Sequence, residues 1–239
     1  MTKLSVNINK IATIRNARGG NMPDVFKAAM DCEAFGAEGI TVHPRPDERH
    51  IRYSDVRTIR PAITTEFNIE GNPIPSFIDL VNEVRPDQVT LVPDAHDAIT
   101  SNAGWDTIKY RDFLSEVCSG FREKGIRTSI FVDPVPEMAE AAALCGCDRI
   151  ELYTESYARE YSIDREAAIR PFILTAEAAR NAGLGVNAGH DLSLENLEFF
   201  IRNIPWTAEV SIGHAIICDA LYMGLEKTIQ AYLSKVKIF

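Results

Sequence analysis

Short apolar runs rich in Val, Ile, Phe and Thr recur along the chain, each followed by a longer stretch in which apolar residues return every three or four positions. The short runs predict strands over 4–9, 39–43, 65–70, 88–92, 127–133, 149–154, 185–189 and 209–213. The longer stretches predict helices over 24–35, 54–62, 75–84, 107–124, 136–145, 164–182, 193–203 and about 215–235. Ser54-Asp55 and Ser193-Leu194-Glu195-Asn196 read as helix starts, and Gly36, Gly125 and Gly183 as helix stops before the next strand. Strand and helix alternate eight times, a pattern that selects a parallel sheet. Closing eight strands on themselves gives an α/β fold, a (β/α)8 TIM barrel with extra short helices, expected as one catalytic domain over 1–239.

No linker or low-complexity tract divides the chain. The least regular region, 93–105, is too polar for a core element and longer than most strand-to-helix loops. On the active face of a barrel such a segment is either a lid or simply an exposed loop.

Composition narrows the class. The hydrophobic fraction of 46% supports a sizeable core, yet no apolar run approaches the roughly 18 residues that span a bilayer, so no membrane partner is expected. The opening Met1-Thr2-Lys3-Leu4-Ser5-Val6-Asn7 lacks the apolar centre of a signal peptide and reads directly as a strand, which points to the cytoplasm. A net charge of −9 weighs against nucleic-acid binding, which needs a basic face. It leaves phosphorylated small molecules open, because a local group of Arg side chains and backbone N–H donors binds phosphate on an acidic protein. Cys32, Cys118, Cys145, Cys147 and Cys218 are odd in number and irregular in spacing, so reduced packing thiols are expected. Cys145-Gly146-Cys147 invites a redox or metal reading, but it closes a helix on the face opposite the strand C-termini.

In such barrels the active site lies at the C-terminal ends of the strands. Those ends carry Asn7-Ile8-Asn9-Lys10, His43-Pro44-Arg45, Asn68-Ile69-Glu70, Asp133, Glu151 with Thr154, Asn187-Ala188-Gly189-His190-Asp191 and Ser211-Ile212-Gly213-His214. A strand buried on both faces prefers Val, Ile or Leu, so amide and ionisable groups on all of these ends converge on function. His43, His190 and His214 on three converging ends suit proton transfer, and burial of Glu70 would raise its pKa toward the range of a general base. The same His and Glu side chains are also zinc or iron ligands, but no tight metal-binding spacing occurs. Gly213-His214-Ala215 at a helix N-terminus and the end of the seventh strand are where barrels cradle phosphate. Arg15, Arg18 and Gly19-Gly20 after the first strand, and Arg45, Arg49 and Arg52 after the second, form two basic groups that suggest two anionic sites.

Across nearly its whole length the chain resembles the pyridoxine 5'-phosphate synthase family. The resemblance runs in order through residues 6–19, the segment 39–43 with Arg45 and Arg49-His50-Ile51, Asn68-Ile69-Glu70, Leu91-Val92-Pro93, residues 186–190 and residues 212–217. It implies a cofactor-independent condensation of 1-deoxy-D-xylulose 5-phosphate with 3-amino-2-oxopropyl phosphate, giving pyridoxine 5'-phosphate, inorganic phosphate and water. It further implies that His43 and Glu70 accept protons, that His190 donates one and that Glu151 stabilises a transition state. Asn7, Arg18, Asp191, Gly213 and His214 would hold the aminoketone phosphate; Asn9, Lys10, Arg45, His50 and Thr100 would hold the deoxyxylulose phosphate, with Thr100 in the lid. A homo-oligomer is implied as well, an octamer built as a tetramer of dimers, with the Arg18 segment reaching toward a neighbouring site. Many members carry Asp-His where this chain has Asn9-Lys10, an exchange that keeps hydrogen bonding and adds positive charge. Asp191 stands where Gly is frequent, which matters little if its backbone N–H makes the contact.

Two other classes remain in view: another phosphosugar enzyme on the same barrel, such as an aldolase or isomerase, and a noncatalytic protein that keeps the phosphate sites. A Schiff-base aldolase would want a strand-borne Lys facing the pocket, and the nearest, Lys10, lies only at the mouth of the first strand.

Overall fold

The computed structural model describes residues 1–93 and 103–238. Eight strands, β1 (Lys3–Asn7), β2 (Gly39–Val42), β3 (Glu66–Gly71), β4 (Gln88–Leu91), β5 (Arg127–Val132), β6 (Arg149–Tyr153), β7 (Gly185–His190) and β8 (Thr207–Ile212), pair in parallel and in chain order, and β8 pairs with β1 to close the barrel.

Alternation along each strand sorts the side chains. Val6, Ile40, Ile69, Val89, Ile130, Ile150, Val186 and Val210 point outward under the helices and are fully buried. Their neighbours Asn7, Thr41, Glu70, Gln88, Ser129, Glu151, Asn187 and Glu209 point into the barrel, and they too are buried, so the interior is largely polar, with Phe131 as an apolar exception beside His190. The preference for Val, Ile and Leu therefore applies to one face only.

At the foot of the barrel the interior polar groups form ion pairs. Glu66 binds Arg127 and lies 3.4 Å from Lys3 Nζ; Arg149 lies 3.5 Å from Glu209 and donates to Asn187 at 3.1 Å. Buried pairs of this kind seldom add net stability over a packed apolar core, but removing one partner is costly.

The outer layer contains α2 (Val25–Ala34), α3 (Tyr53–Ile59), α4 (Pro75–Val84), α5 (Arg111–Arg122), α6 (Pro136–Leu144), α8 (Arg165–Asn181), α9 (Leu197–Asn203), α10 (His214–Met223) and α11 (Leu225–Val236). Asp24 and Asp164 cap α2 and α8 by accepting from backbone N–H groups of the first turn.

Several boundaries differ from the sequence reading for identifiable reasons. Ser54 does not cap α3; the helix begins one residue earlier, and Asp55 reaches back to accept the Arg52 N–H at 2.8 Å. Ser193 starts a turn instead of α9, because Asn196 Oδ1 takes the Ser193 N–H and Asn196 itself precedes the helix. The expected last helix is two, broken at Gly224 with φ +81°, a left-handed conformation that favours glycine. The extra short helices, expected without positions, are α1 (Asn9–Asn16) and α7 (Glu155–Glu160), both directly after strands on the cavity face.

The expected lid at 93–105 falls largely on residues 94–102, outside the described residues, as does Thr100. The far end of that segment is anchored. Gly104 N–H donates to Asp133 Oδ2 at 3.2 Å, and buried Trp105 donates from Nε1 to Leu91 O at 3.1 Å. Among the described residues no helix is long and apolar enough to cross a membrane.

Candidate active site

The C-terminal ends of β1, β2, β6, β7 and β8 surround a cavity of about 450 Å³. Asn7, Asn9, Lys10, His43, Arg45, His50, His190, Asp191, Gly213 and His214 all line it, so ten of the residues singled out in the sequence meet in one place. Two carboxyls lie beneath. Glu70 is fully buried, with Oε2 4.0 Å from His43 Nδ1 and 3.4 Å from Asn7 Nδ2, and Ser211 Oγ 3.5 Å from Oε1. Glu151 is equally buried, and its Oε1 faces His190 Nδ1 at 3.8 Å with no hydrogen bond to either atom.

Backbone geometry holds the imidazoles in place. His190 ends β7 at φ +90°, a left-handed conformation that costs a non-glycine residue about 1–3 kcal/mol and is retained chiefly where a side chain must be aimed. Its ring packs edge-on against Phe131 at 5.0 Å and Tyr153 at 6.4 Å. Asn9 Oδ1 accepts the His43 N–H at 2.9 Å, tying the end of β2 to the start of α1. Ile51 N–H donates to His50 Nδ1 at 2.9 Å, which keeps that nitrogen unprotonated and leaves Nε2 for the cavity. Gly213 lies against Asn7, where an added Cβ would come within 3.0 Å of Asn7 O, and this close approach brings the N-terminus of α10 to the cavity wall.

The floor is electrically unusual. Burial lowers the pKa of His43 well below the ordinary range, helped by the nearby charges of Arg45 and Arg49. Burial, with Arg45 and Lys10, brings His50 to about 4, and burial, partly opposed by the Gly189 backbone, brings His190 to about 4. Glu151 moves the other way: burial first and the charge of Glu70 second raise it well above the carboxylate range, so it keeps its proton. The site thus offers neutral imidazoles beside a proton-bearing carboxyl, a set suited to passing protons both ways.

These ionisations predict opposite pH signatures in stability. His50 binds its proton less readily folded than unfolded, so its contribution is full above 6.5 and is lost as pH falls toward about 4. Glu209, raised from 4.5 to about 7 by burial, contributes fully below 4.5 and loses that contribution as pH rises toward 7. His50→Asn is expected to gain on the parent protein as pH falls through its window, measured as the difference in urea midpoints; a difference independent of pH would contradict a neutral buried imidazole.

Not every expected residue serves the cavity. Arg18 is exposed in the turn after α1 and does not line it. Arg15 is only 1% exposed and is consumed by the fold, donating to Asp55 Oδ1 at 2.7 Å, His50 O at 2.9 Å and Asn16 Oδ1 at 3.0 Å. Arg52 donates to Asn16 and Arg49 to Asp47, so the second basic group reduces to Arg45 at the cavity. Thr154 points away, donating to Gly189 O at 2.7 Å and accepting the Asp191 N–H at 3.1 Å. That last bond occupies the very N–H expected to meet substrate, so Asp191 presents its carboxylate instead.

Sequence reasoning missed Tyr153 and Glu155, which also line the cavity. Tyr153 was legible, since Arg149, Glu151 and Tyr153 alternate along β6 and share the inward face. Glu155 sits on α7, a helix too short to announce itself. Among the described residues no group of three or more His, Cys, Asp or Glu side chains is arranged to hold a metal ion.

Comparison with known proteins fits this arrangement. The family described as "Pyridoxal phosphate biosynthesis protein PdxJ" matches residues 4–238. The chain belongs to this family. Among similar proteins of this PdxJ-family chain, the pyridoxine 5'-phosphate synthase of Cytophaga hutchinsonii is 65% identical over 237 residues, covering 99% of this chain and 100% of that protein. The pyridoxine 5'-phosphate synthase of Parabacteroides distasonis is 67% identical over 232 residues, covering 97% and 98%. Solved structures share the fold at low identity. The 3-keto-L-gulonate-6-phosphate decarboxylase of Vibrio cholerae superposes with a TM-score of 0.68 at 11% identity, covering 100% of this chain and 98% of that one. Phosphoribosylanthranilate isomerase from Thermotoga maritima gives 0.63 at 14%, covering both chains fully.

Proposed function

We propose that this chain is a pyridoxine 5'-phosphate synthase, acting as one catalytic domain that condenses 1-deoxy-D-xylulose 5-phosphate with 3-amino-2-oxopropyl phosphate. The observation that carries the reading is the double pairing on the cavity floor, His43 beside Glu70 at 4.0 Å and His190 beside Glu151 at 3.8 Å. Imine formation, enolisation, phosphate loss and ring closure each move a proton, and two acid–base pairs under one cavity supply the partners. His43 and Glu70 act as acceptors. His190, neutral at rest, gives the proton on its cavity-facing ring nitrogen to substrate as Nδ1 takes the proton of Glu151, so the imidazole stays neutral and Glu151 is left ionised.

The N-terminus of α10, with Gly213, His214 and Asn7, would hold the aminoketone phosphate through backbone N–H groups and the helix dipole. Asp191, beside Glu155, offers carboxylate charge to that substrate's ammonium group. Lys10, Arg45 and His50 would hold the phosphosugar, with Asn9 free to donate only from Nδ2 because its Oδ1 secures His43. Arg18 and Thr100 belong to this proposal through the family resemblance. A contribution from Arg18 would come from a second copy of the chain in a homo-oligomer, a tetramer of dimers. The exposed apolar side chains Ile14, Leu221 and Tyr222 support such an assembly. Five free cysteines agree with a cytoplasmic setting.

Thermal unfolding with each substrate separates enzyme from binding protein. At a concentration about a hundredfold above its Kd, each substrate alone should stabilise the protein by about 2.7 kcal/mol. Both together should be consumed. Stabilisation by both with no consumption would leave a binding protein.

A further inference from the structure

Beneath the active-site floor the barrel holds a third fully buried carboxyl. Glu209, on β8, is 1% exposed. Glu151 on β6 stands in register with Asn187 on β7, and Asn187 with Glu209 on β8, so the three inward side chains form one row across adjacent strands. Arg149 spans the foot of that row, 3.5 Å from Glu209 Oε2 and donating to Asn187 Oδ1 at 3.1 Å. Glu209 Oε2 and Glu151 Oε1 are both buried without a hydrogen-bond partner. The charged groups around Glu209 are Arg149, Arg127 and Lys3, with Glu66 sharing the two arginines and Asp148 acting on both. Around Glu151 they are Glu70 and His190.

We infer that Glu209 is a positioning residue for the active site, whose carboxylate charge keeps Glu151 in its proton-bearing form. This rests on the reading of Glu151 as the group that recharges His190. Two strand spacings separate the carboxyls by about 10 Å. At an effective dielectric of about 20, one charge at that distance displaces the other group's titration by about one pH unit. Glu209 itself ionises at about 7, raised by burial and restrained by Arg149, Arg127 and Lys3. Its charge therefore grows in as pH rises through neutrality, the range in which an acid on the floor would otherwise begin to lose its proton. No metal, substrate or partner is needed for the coupling.

The test is the pH profile of Glu209→Gln. Removing the charge also leaves Arg149 without that counter-ion, and both changes favour ionised Glu151. The basic limb of kcat/KM should move down by about one unit or more, with the acid limb and KM little changed, and Glu209→Asp should restore it. A purely structural role would lower turnover at every pH without moving the limb, and an unmoved limb overturns the inference. Infrared titration of the buried protonated carboxyls gives a second arm independent of turnover, read in Glu209→Gln or, should that variant not fold, in Glu209→Met. Because Glu151 is neutral while Glu209 titrates, the coupling shows on Glu151, which should ionise about one pH unit lower in the neutral Glu209 variant than in the parent protein. An unchanged Glu151 titration refutes the coupling whether or not the protein makes pyridoxine 5'-phosphate. A shifted titration in a protein that forms no pyridine ring keeps the coupling and rejects the synthase reading.

Discussion

Replacing Glu70 by Gln is expected to leave the barrel folded and both substrates bound while lowering kcat/KM by about a hundredfold to ten-thousandfold, the usual worth of a general acid or base. Glu70 is fully buried at the end of β3, and the groups nearest its oxygens are His43 Nδ1, Asn7 Nδ2 and Ser211 Oγ. The amide keeps the volume but accepts no proton. A second consequence follows from charge: Glu70 helps hold Glu151 protonated, so the variant's Glu151 should ionise at lower pH. Steady-state kinetics with a circular-dichroism melt checks both halves. Near-normal turnover in a folded Glu70→Gln protein would remove Glu70 from the role of base.

Arg15→Met is expected to cost about 3–5 kcal/mol of stability, the toll of breaking a buried ion pair from one side. Asp55, left without its 2.7 Å guanidinium partner, would be the stranded charge. The loss should also loosen the turn that carries His50, since Arg15 and Asn16 both donate to His50 O. Lys10→Ala, at the cavity edge, should instead weaken substrate binding at nearly unchanged stability. Urea unfolding and substrate titration on the two variants distinguish the cases. An Arg15→Met protein that unfolds at the parent's urea concentration but binds phosphosugar poorly would return Arg15 to the binding role its sequence position suggested.

The Arg15 case shows where sequence reasoning reached and where it stopped. Strand positions were legible because apolar outward residues recur at period two and glycines punctuate the helix ends, as at Gly125 and Gly183. The convergence of His43, Glu70, His190 and His214 was legible because a closed parallel barrel brings all strand ends to one face. Which cations would face that cavity was not: Arg15 and Arg45 carry the same charge after the adjacent strands β1 and β2, and only the fold turns one toward Asp55 and leaves the other at the cavity. The helices α1 and α7 were missed because they are only eight and six residues long and lack a side-chain cap. The engaged Asp191 N–H depends on Thr154, a residue distant in sequence, and no local pattern announces it.

The central claim is most directly tested by mixing the purified protein with 1-deoxy-D-xylulose 5-phosphate and 3-amino-2-oxopropyl phosphate, without added metal or nucleotide, and following pyridine-ring absorbance together with released phosphate. The account predicts that ring and phosphate appear in step, one phosphate per ring, and that either substrate alone gives neither. Binding of both substrates with no ring formed and no phosphate released would contradict it.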